Sequence, residues 1–434
     1  MTGVYDDVLE KVSALLAAAV REREDAIDVL DVDADVHALL RGVGLRTTQA
    51  VVDAETTRVL EEAAARGFIV NRSAQIAIGC LYGELTVCSP YLRRSRGDTA
   101  RPARDLGLTH RSKTPALERA LTDFGIEDSF GVASARFEEH YGWTIHRTSL
   151  LRVVHDVAKD AVAFIDEKLA AEPASIEPVA CMLVEMDGCE LRTGTMGSPH
   201  PVERTPVRGI PRRKRPLEYR DVRLAFCRDL YDDTEKTFVG GMSPFGEVVD
   251  QLHSAARHRG LTHHTVVATV LDGGNGLREA IEARFGECIV VLDRPHMSQH
   301  LHDVAKHMEL GDRERFAWVS RVLEDFFKGH VAKVYAELEA YRGLGRARVE
   351  RFLKHLWRFQ DAVDYGNAYG WGIPQGSGEI ESAHRYIPQK RLKVPGACWH
   401  PDSMNRILAL RILRANGWWK EFWTTRREQT QEAV

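Results

Sequence analysis

Residues 265–274 read TVVATVLDGG, an unbroken apolar run that closes on Asp272-Gly273-Gly274. Two other stretches are built the same way. Residues 179–188, VACMLVEMDG, are apolar from Val179 to Met186 except for Glu185 and close on Asp187-Gly188; residues 288–293, CIVVLD, close on Asp293. Short apolar runs without polar alternation suit strands buried on both faces. The stretches between them have helical spacing (Phe245, Val248, Val249 and Leu252, then Leu277 to Phe285), so an α/β sheet covered by helices is expected. Further strands are expected near Leu191 to Thr193 and Val222 to Cys227. On this reading three strands end on an aspartate at the C-terminal edge of the sheet, where open α/β sheets usually place their sites.

C-terminal to this core, residues 300–363 read as helical and rich in aromatics (Phe316, Trp318, Phe326, Phe352, Trp357). A glycine-rich loop, 366–378, follows, and a helix resumes at Glu379. The tail carries Trp418, Trp419, Phe422 and Trp423, which fits a helix docked on a core. On the N-terminal side, Val8, Val12, Leu15, Leu16, Val20, Ile27 and Leu30 recur at helical spacing over residues 6–40. Residues 67–87 read as strands of a small sheet. A short helix from Ser134 to His140, a glycine turn at Gly142 and a second helix through Leu150 to Ala158 have the outline of a helix-turn-helix, which would turn His146, Arg147, Thr148 and Arg152 to a partner. An ordinary helical hairpin has the same outline.

The chain has 434 residues, 44% apolar and 28% charged, which is globular composition and more than one core usually serves. No apolar run approaches the roughly 20 residues of a membrane helix. Asp6, Asp7 and Glu10 stand where a secretory leader would be basic and then apolar, so cytoplasmic residence is expected. Seven scattered cysteines without a Cys-x-x-Cys pair write neither a disulfide framework nor a thiolate zinc site. Net charge is 59 minus 63, or −4. That mean conceals three basic segments: residues 93–113 with Arg93 and Arg94, residues 204–220 with Arg212 and Arg213, and residues 385–414 with Lys390, Arg391 and Lys393. Segregated basic segments in an acidic chain fit a surface that grips phosphates, although solvated loops can carry the same runs.

Asp187, Asp272 and a glutamate opening the helix after Gly376-Ser377-Gly378 stand out by position. Taken singly, Asp-Gly is a common turn and a first-turn Glu favours the helix dipole. Together they could hold one or two Mg²⁺ (or Mn²⁺) ions, which prefer carboxylate oxygens and, about 3.5–4 Å apart, assist phosphoryl transfer. Glu379 and Glu381 lie about 200° apart on a helix, so one of them faces such a site. His296, His300, Asp303 and His307 share a helical face. Lacking cysteines or a His-Glu-x-x-His pattern, they fit an amphipathic stripe better than a zinc site.

The order Asp187-Gly188, Asp272-Gly273, Asp293-x-x-His296 and Gly376-Ser377-Gly378-x-x-Glu381, then Gln389-Lys390-Arg391-Leu392-Lys393-x-x-Gly396-x-x-Trp399, resembles bacterial insertion-sequence transposases of the DDE class. The match is nearest the ISKra-type group, relatives of the Mutator-like transposases, and covers roughly residues 67–423. The resemblance implies an α/β ribonuclease-H-like catalytic core (residues 176–300 and 366–400) with a helical insertion (301–365). With the periodicity read above, the expected organisation also has an N-terminal helical segment (1–66), a mainly helical DNA-binding region with the helix-turn-helix (67–175) and a C-terminal helical tail (401–434). Asp187, Asp272 and Glu381 match the catalytic and metal-binding triad, with Glu381 preferred to Glu379 because the family places its acid three residues after the second glycine. Asp293 and His296 match an auxiliary Cys/Asp-x-x-His signature. Arg93, Arg94, Arg147, Arg152, Arg212, Arg213, Lys390, Arg391 and Lys393 are the expected DNA contacts, and Trp399 either stacks on a base or packs in the core. Family members carry paired N-terminal cysteines resembling a small zinc ribbon; this chain keeps only Cys88 there. Implied partners are double-stranded DNA, as terminal inverted repeats and target, and a second copy of the chain, with nucleoid association when DNA is bound. Two alternatives stay open: a metal-dependent nuclease of the same fold, and a domesticated DNA-binding protein without catalysis.

Overall fold

The computed structural model describes residues 3–22, 30, 32–94, 97–173, 176–194, 206–207, 210–211, 217–274 and 276–432. The chain divides into two compact units, residues 1–157 with 421–434, and residues 158–420.

The first unit opens with helices α1 (Gly3–Arg21) and α2 (Val32–Ala65). Five short strands follow: β1 (Ile69–Arg72), β2 (Gln75–Cys80), β3 (Gly83–Cys88), β4 (Tyr91–Arg93) and β5 (Thr99–Ala100). β2 and β3 pair antiparallel with Ile76 opposite Val87 and Ile78 opposite Leu85. Alternation along β3 turns Leu85 and Val87 inward, where they bury Ile78, Cys80 and Ala103 with them. Cys88 is on the exposed face and carries a free thiol. The helices α3 (Pro102–Asp105), α4 (Pro115–Glu127), α5 (Phe130–Tyr141) and α6 (Arg147–Ala170) follow, the division falling inside α6, and the last helix of the chain, from Glu421 on, belongs to this unit as well. Gly142 ends α5 in the left-handed conformation at φ 69°, which a residue without Cβ adopts at little cost. Leu121, Ile126, Phe137, Leu150 and Val154 are fully buried, the core of an α4–α6 cluster with the expected helix, glycine turn and helix.

The second unit is built on a five-stranded sheet. Its strands are β6 (Cys181–Gly194), β9 (Leu217–Asp229), β10 (Thr237–Gly241), β11 (Val266–Leu271) and β12 (Ile289–Leu292); a two-residue pair, β7 (Pro206–Val207) and β8 (Ile210–Pro211), lies between the first two. Spatial order is β10-β9-β6-β11-β12, or 3-2-1-4-5 in chain order of the sheet strands. β9 runs antiparallel to its neighbours β10 and β6, and β11 and β12 run parallel to β6. Residues 181–186 are all buried, as a strand covered on both faces requires. α7 (Phe245–Arg257) precedes β11 and α8 (Leu277–Phe285) joins β11 to β12.

One strand differs from its sequence reading. Asp187 does not end β6, which continues to Gly194 because β9 pairs along its whole length, from Met182 opposite Asp229 to Gly194 opposite Leu217. The separate strand expected near Leu191 is the far half of β6. On its other side β6 loses its neighbour early: β11 pairs only from Val266 opposite Cys181 to Val270 opposite Glu185. Asp187 therefore still stands at the edge where β11 stops, near the turn that carries Asp272. β10, five residues that end on Gly240-Gly241, carries no strand pattern of its own.

After β12 come α9 (Arg294–His307), α10 (Asp312–Phe327), α11 (Val331–Ala340), α12 (Arg346–Arg358) and α13 (Tyr365–Gly370), the last within the stretch read as a glycine loop. Val322, Phe326, Val334, Val349, Phe352 and Leu356 bury the helical stretch against itself. α14 (Gly378–His384) runs into a π-helical turn, Arg385–Gln389, with Pro388 inside it, then α15 (Lys390–Leu392), α16 (Pro401–Ala415) and α17 (Trp419–Glu432). Trp419, Phe422 and Trp423 are buried. Among the described residues no helix is long and apolar enough to cross a membrane.

Candidate active site

Asp187 from β6, Asp272 from the turn after β11 and Glu381 from α14 line one cleft of about 370 Å³, together with His296, Gln299 and Ser377. Each acid reaches it by a local device. Asp187 Oδ1 accepts the Gly188 N–H at 2.7 Å. Asp272 Oδ1 accepts the Gly274 N–H at 2.8 Å, closing a turn in which Gly273 has φ 83°. A Cβ at Gly273 would come within 2.8 Å of His355 Cε1 and 2.9 Å of Leu292 Cδ1, so close packing as well as the backbone requires glycine there. Burial pushes the Asp187 carboxyl above its ordinary range and the charges of Asp272 and Glu381 push it further, against His384 and the Gly188 amide.

Ser377 links the next two acids. Its N–H and hydroxyl both lie 2.6 Å from Asp293 Oδ2, and the same hydroxyl is 3.1 Å from Glu381 Oε1. One hydroxyl proton serves one carboxylate at a time, and the shorter contact is to Asp293. Asp293 follows β12, is 1% exposed and caps α9 by accepting the His296 N–H at 2.7 Å. Burial raises its pKa, but the bonds from Ser377 and His296 outweigh that and hold it below the usual carboxylate range. His296 Nδ1 lies 3.1 Å from Asp293 Oδ1. Asp293, His296 and Glu381 each offer a ligand atom within 4.8 Å of the others. His300 instead lies against His355, ring centroids 5.1 Å apart, and Asp303 pairs with Arg348 and His307, so no zinc group of His296, His300, Asp303 and His307 forms among the described residues.

Glu379 has different company. It meets Arg228 of β9 at 2.6 and 3.1 Å and Lys236 at 2.6 Å. Burial raises its pKa, but the two cations prevail and hold it low.

Two buried groups were missed in the sequence. Glu185, fully buried, accepts the Ile380 N–H at 3.3 Å and so ties β6 to the first turn of α14. Burial and the neighbouring Glu379 push its carboxyl up to about 8. Its signal was available: it is the one polar break in the run from Val179 to Met186. His384, three residues beyond Glu381, is 1% exposed and lies with Nε2 3.9 Å from Asp187 Oδ2; helical spacing from Glu381 was its only sign.

The expected DNA contacts fall into three groups. Arg93, Arg147, Arg152, Lys390 and Lys393 are exposed. Arg94 is half-buried, paired with Asp98 at 2.6 Å and set over the Phe68 ring. Arg391 is corrected: it is 2% exposed with its guanidinium 4.8 Å from the Trp399 ring centroid, and a buried guanidinium cannot reach a DNA backbone. Trp399 itself is buried, donates Nε1–H to Leu392 O at 2.9 Å and bridges Thr193 at the end of β6, which makes it a packing residue rather than a base-stacking platform. Arg212 and Arg213 lie outside the described residues.

No family model matches the chain, and no curated protein does. Among solved structures the chain is similar to the Drosophila P element transposase strand transfer complex, at 12% identity over 74% of this chain and 82% of that chain, with a TM-score of 0.27.

Proposed function

We propose that this chain is a DNA transposase of the DDE class, in the ISKra-type group, with a ribonuclease-H-like core, a helical insertion and an N-terminal DNA-binding region. The observation that carries the reading is the convergence of Asp187, Asp272 and Glu381 on one cleft from a central strand, the turn after its parallel neighbour and a helix some hundred residues later. The strand order 3-2-1-4-5, with the last two strands parallel to the first, is the order a ribonuclease-H-like core has and supports the same reading.

The donor set suits Mg²⁺ or Mn²⁺: all three acids offer hard oxygen ligands, and the upward push on Asp187 from Asp272 and Glu381 is a repulsion that a divalent cation relieves. Such a cation supplies Lewis-acid polarisation of phosphoryl oxygens for in-line attack. The chain's own part is geometric. Asp187 is held by the next backbone amide of its strand and Asp272 by an amide of its turn, and the Ser377 hydroxyl lies between Asp293 and Glu381. Lys393, exposed and near enough to His384 and Cys189 to bias both, is set to hold a phosphate backbone beside the cleft. In this reading water cuts the phosphodiester at the element's terminal inverted repeat, and the freed 3′-hydroxyl attacks target DNA, which calls for two ends brought together by two or more copies of the chain.

The test is to incubate labelled end fragments from the DNA flanking the gene with Mg²⁺ or EDTA, using wild type, Asp187→Asn, Asp272→Asn and Glu381→Gln. Nicked and joined products that need Mg²⁺ and vanish in all three variants, with DNA binding kept, are expected. Nicking without joining would favour a nuclease of the same fold. Binding with no product under any metal would favour a DNA-binding protein.

A further inference from the structure

His384 is the most anomalous side chain near the cleft. It is 1% exposed, and its ring makes no hydrogen bond of good geometry, only a loose approach to the Asp187 backbone. Leaving a buried polar atom unpaired costs about 1–3 kcal/mol, so such a group usually has a role in another state of the molecule. Among the described residues one charged side chain lies within ion-pair reach of it: Asp187 Oδ2 is 3.9 Å from Nε2, too far for a hydrogen bond and close enough to become one with a small shift. The residue does not line the cleft that Asp187, Asp272 and Glu381 share. It stands behind Asp187, on the same helix as Glu381 and one turn further on, the spacing that shares a face.

The surroundings hold that helix at both ends, to strand β6 at its start and to α16 beyond its end. Glu185 Oε2 accepts the Ile380 N–H at the start of α14. At its end the chain enters the π-helical turn, whose Tyr386 and Ile387 carbonyls accept hydrogen bonds from the buried Arg411 of α16. π-turns are frequent at functional sites because the added residue re-aims the side chains beside it. His384 is the residue immediately before this one.

We propose that His384 is a positioning residue for Asp187: with a divalent cation in the cleft, its Nε2–H donates to Asp187 Oδ2 and fixes the plane of that carboxylate, whose Oδ1 is already held by the Gly188 amide. This rests on the reading of the cleft as a metal site. Partners behind a ligating carboxylate are known to matter at the level of about 10–100-fold in metal affinity.

The experiment is Mn²⁺ titration of the full chain, by isothermal calorimetry and by electron paramagnetic resonance of free Mn²⁺, with thermal melts of the metal-free proteins alongside. His384→Leu keeps the bulk and removes the donor; His384→Gln keeps a donor. His384→Leu should weaken Mn²⁺ binding by about 10–100-fold while melting at or above the wild-type temperature, since an orphaned buried polar group has been replaced by an apolar one. His384→Gln should recover most of the affinity. A residue that only filled space would show the reverse, lower melting with unchanged metal affinity, and that result overturns the proposal. If Asp187→Asn loses Mn²⁺ while both His384 variants bind it like wild type, the proposal falls and the metal reading stands. Mn²⁺ binding indifferent to Asp187→Asn overturns the metal reading and this proposal with it. Should His384→Leu not fold, His384→Met makes the same comparison.

Discussion

Glu379 and Glu381 lie two positions apart on α14 and belong to different structures: Glu379 is locked to the buried Arg228 at 2.6 Å, while Glu381 lines the cleft with Asp187 and Asp272. Their roles should separate cleanly. Glu381→Gln should cut metal-dependent DNA cleavage by roughly two orders of magnitude or more with little change in melting temperature. Glu379→Gln leaves Arg228, 6% exposed, without its carboxylate partner and should cost roughly 1–3 kcal/mol of stability while keeping activity below its melting point. Cleavage assays and melts on the two variants decide it; equal loss of activity without destabilisation in Glu379→Gln would reverse the assignment.

Glu185 makes stability depend on pH. Its carboxyl sits at about 8 in the fold against an ordinary value of 4.5. Below about pH 4.5 it is protonated folded and unfolded, and its burial as a neutral group carries no ionisation penalty. Between 4.5 and 8 the unfolded chain releases the proton and the fold retains it, so stability falls as pH rises, by at most about 1.4 kcal/mol per pH unit from this one group. Above 8 the loss levels off. Glu185→Gln, which still accepts the Ile380 N–H, should flatten melting temperature against pH across that window and melt higher at pH 8. Parallel curves for the two proteins would refute this.

Ser377→Ala tests the link between the two acids. The Ser377 N–H still serves Asp293, so the stability cost should stay near 1–2 kcal/mol. Glu381 loses the one side-chain hydroxyl beside it, and the metal concentration for half-maximal cleavage should rise about 10–100-fold. An unchanged metal requirement would mean that the hydroxyl belongs to Asp293 alone.

Lys393 and Arg391, adjacent in the basic segment, should respond in opposite ways. Lys393→Glu should weaken binding to DNA of any sequence and lower the slope of log affinity against log salt by about 1, without changing the melt. Arg391→Ala removes a buried side chain from Trp399 and should lower the melting temperature, leaving the salt slope as it was. A salt slope lowered by Arg391→Ala in still-folded protein would return that residue to the DNA surface.

Much of the core was written locally. The three apolar runs are strands because they are short, rich in branched residues and carry a single charge, Glu185, and an aspartate follows β11 and β12 because a polar turn has to follow a buried strand. Asp187, Asp272 and a glutamate at 379 or 381 were legible as a group from order and spacing, and the family resemblance pointed to Glu381. Their meeting in one cleft depends on β11 pairing parallel to β6 and stopping at Glu185, a register that no local pattern contains. Which glutamate faces the cleft was decided by Arg228, 151 positions from Glu379, and the burial of Arg391 by the ring of Trp399. Glu185 and His384 were overlooked for the same reason. Hydrophobic periodicity is a property of neighbouring residues, whereas the partner of a charged side chain is chosen by tertiary packing: on the strength of its sequence a charge belongs at the surface, and only the fold brings it a counter-charge that can hold it inside.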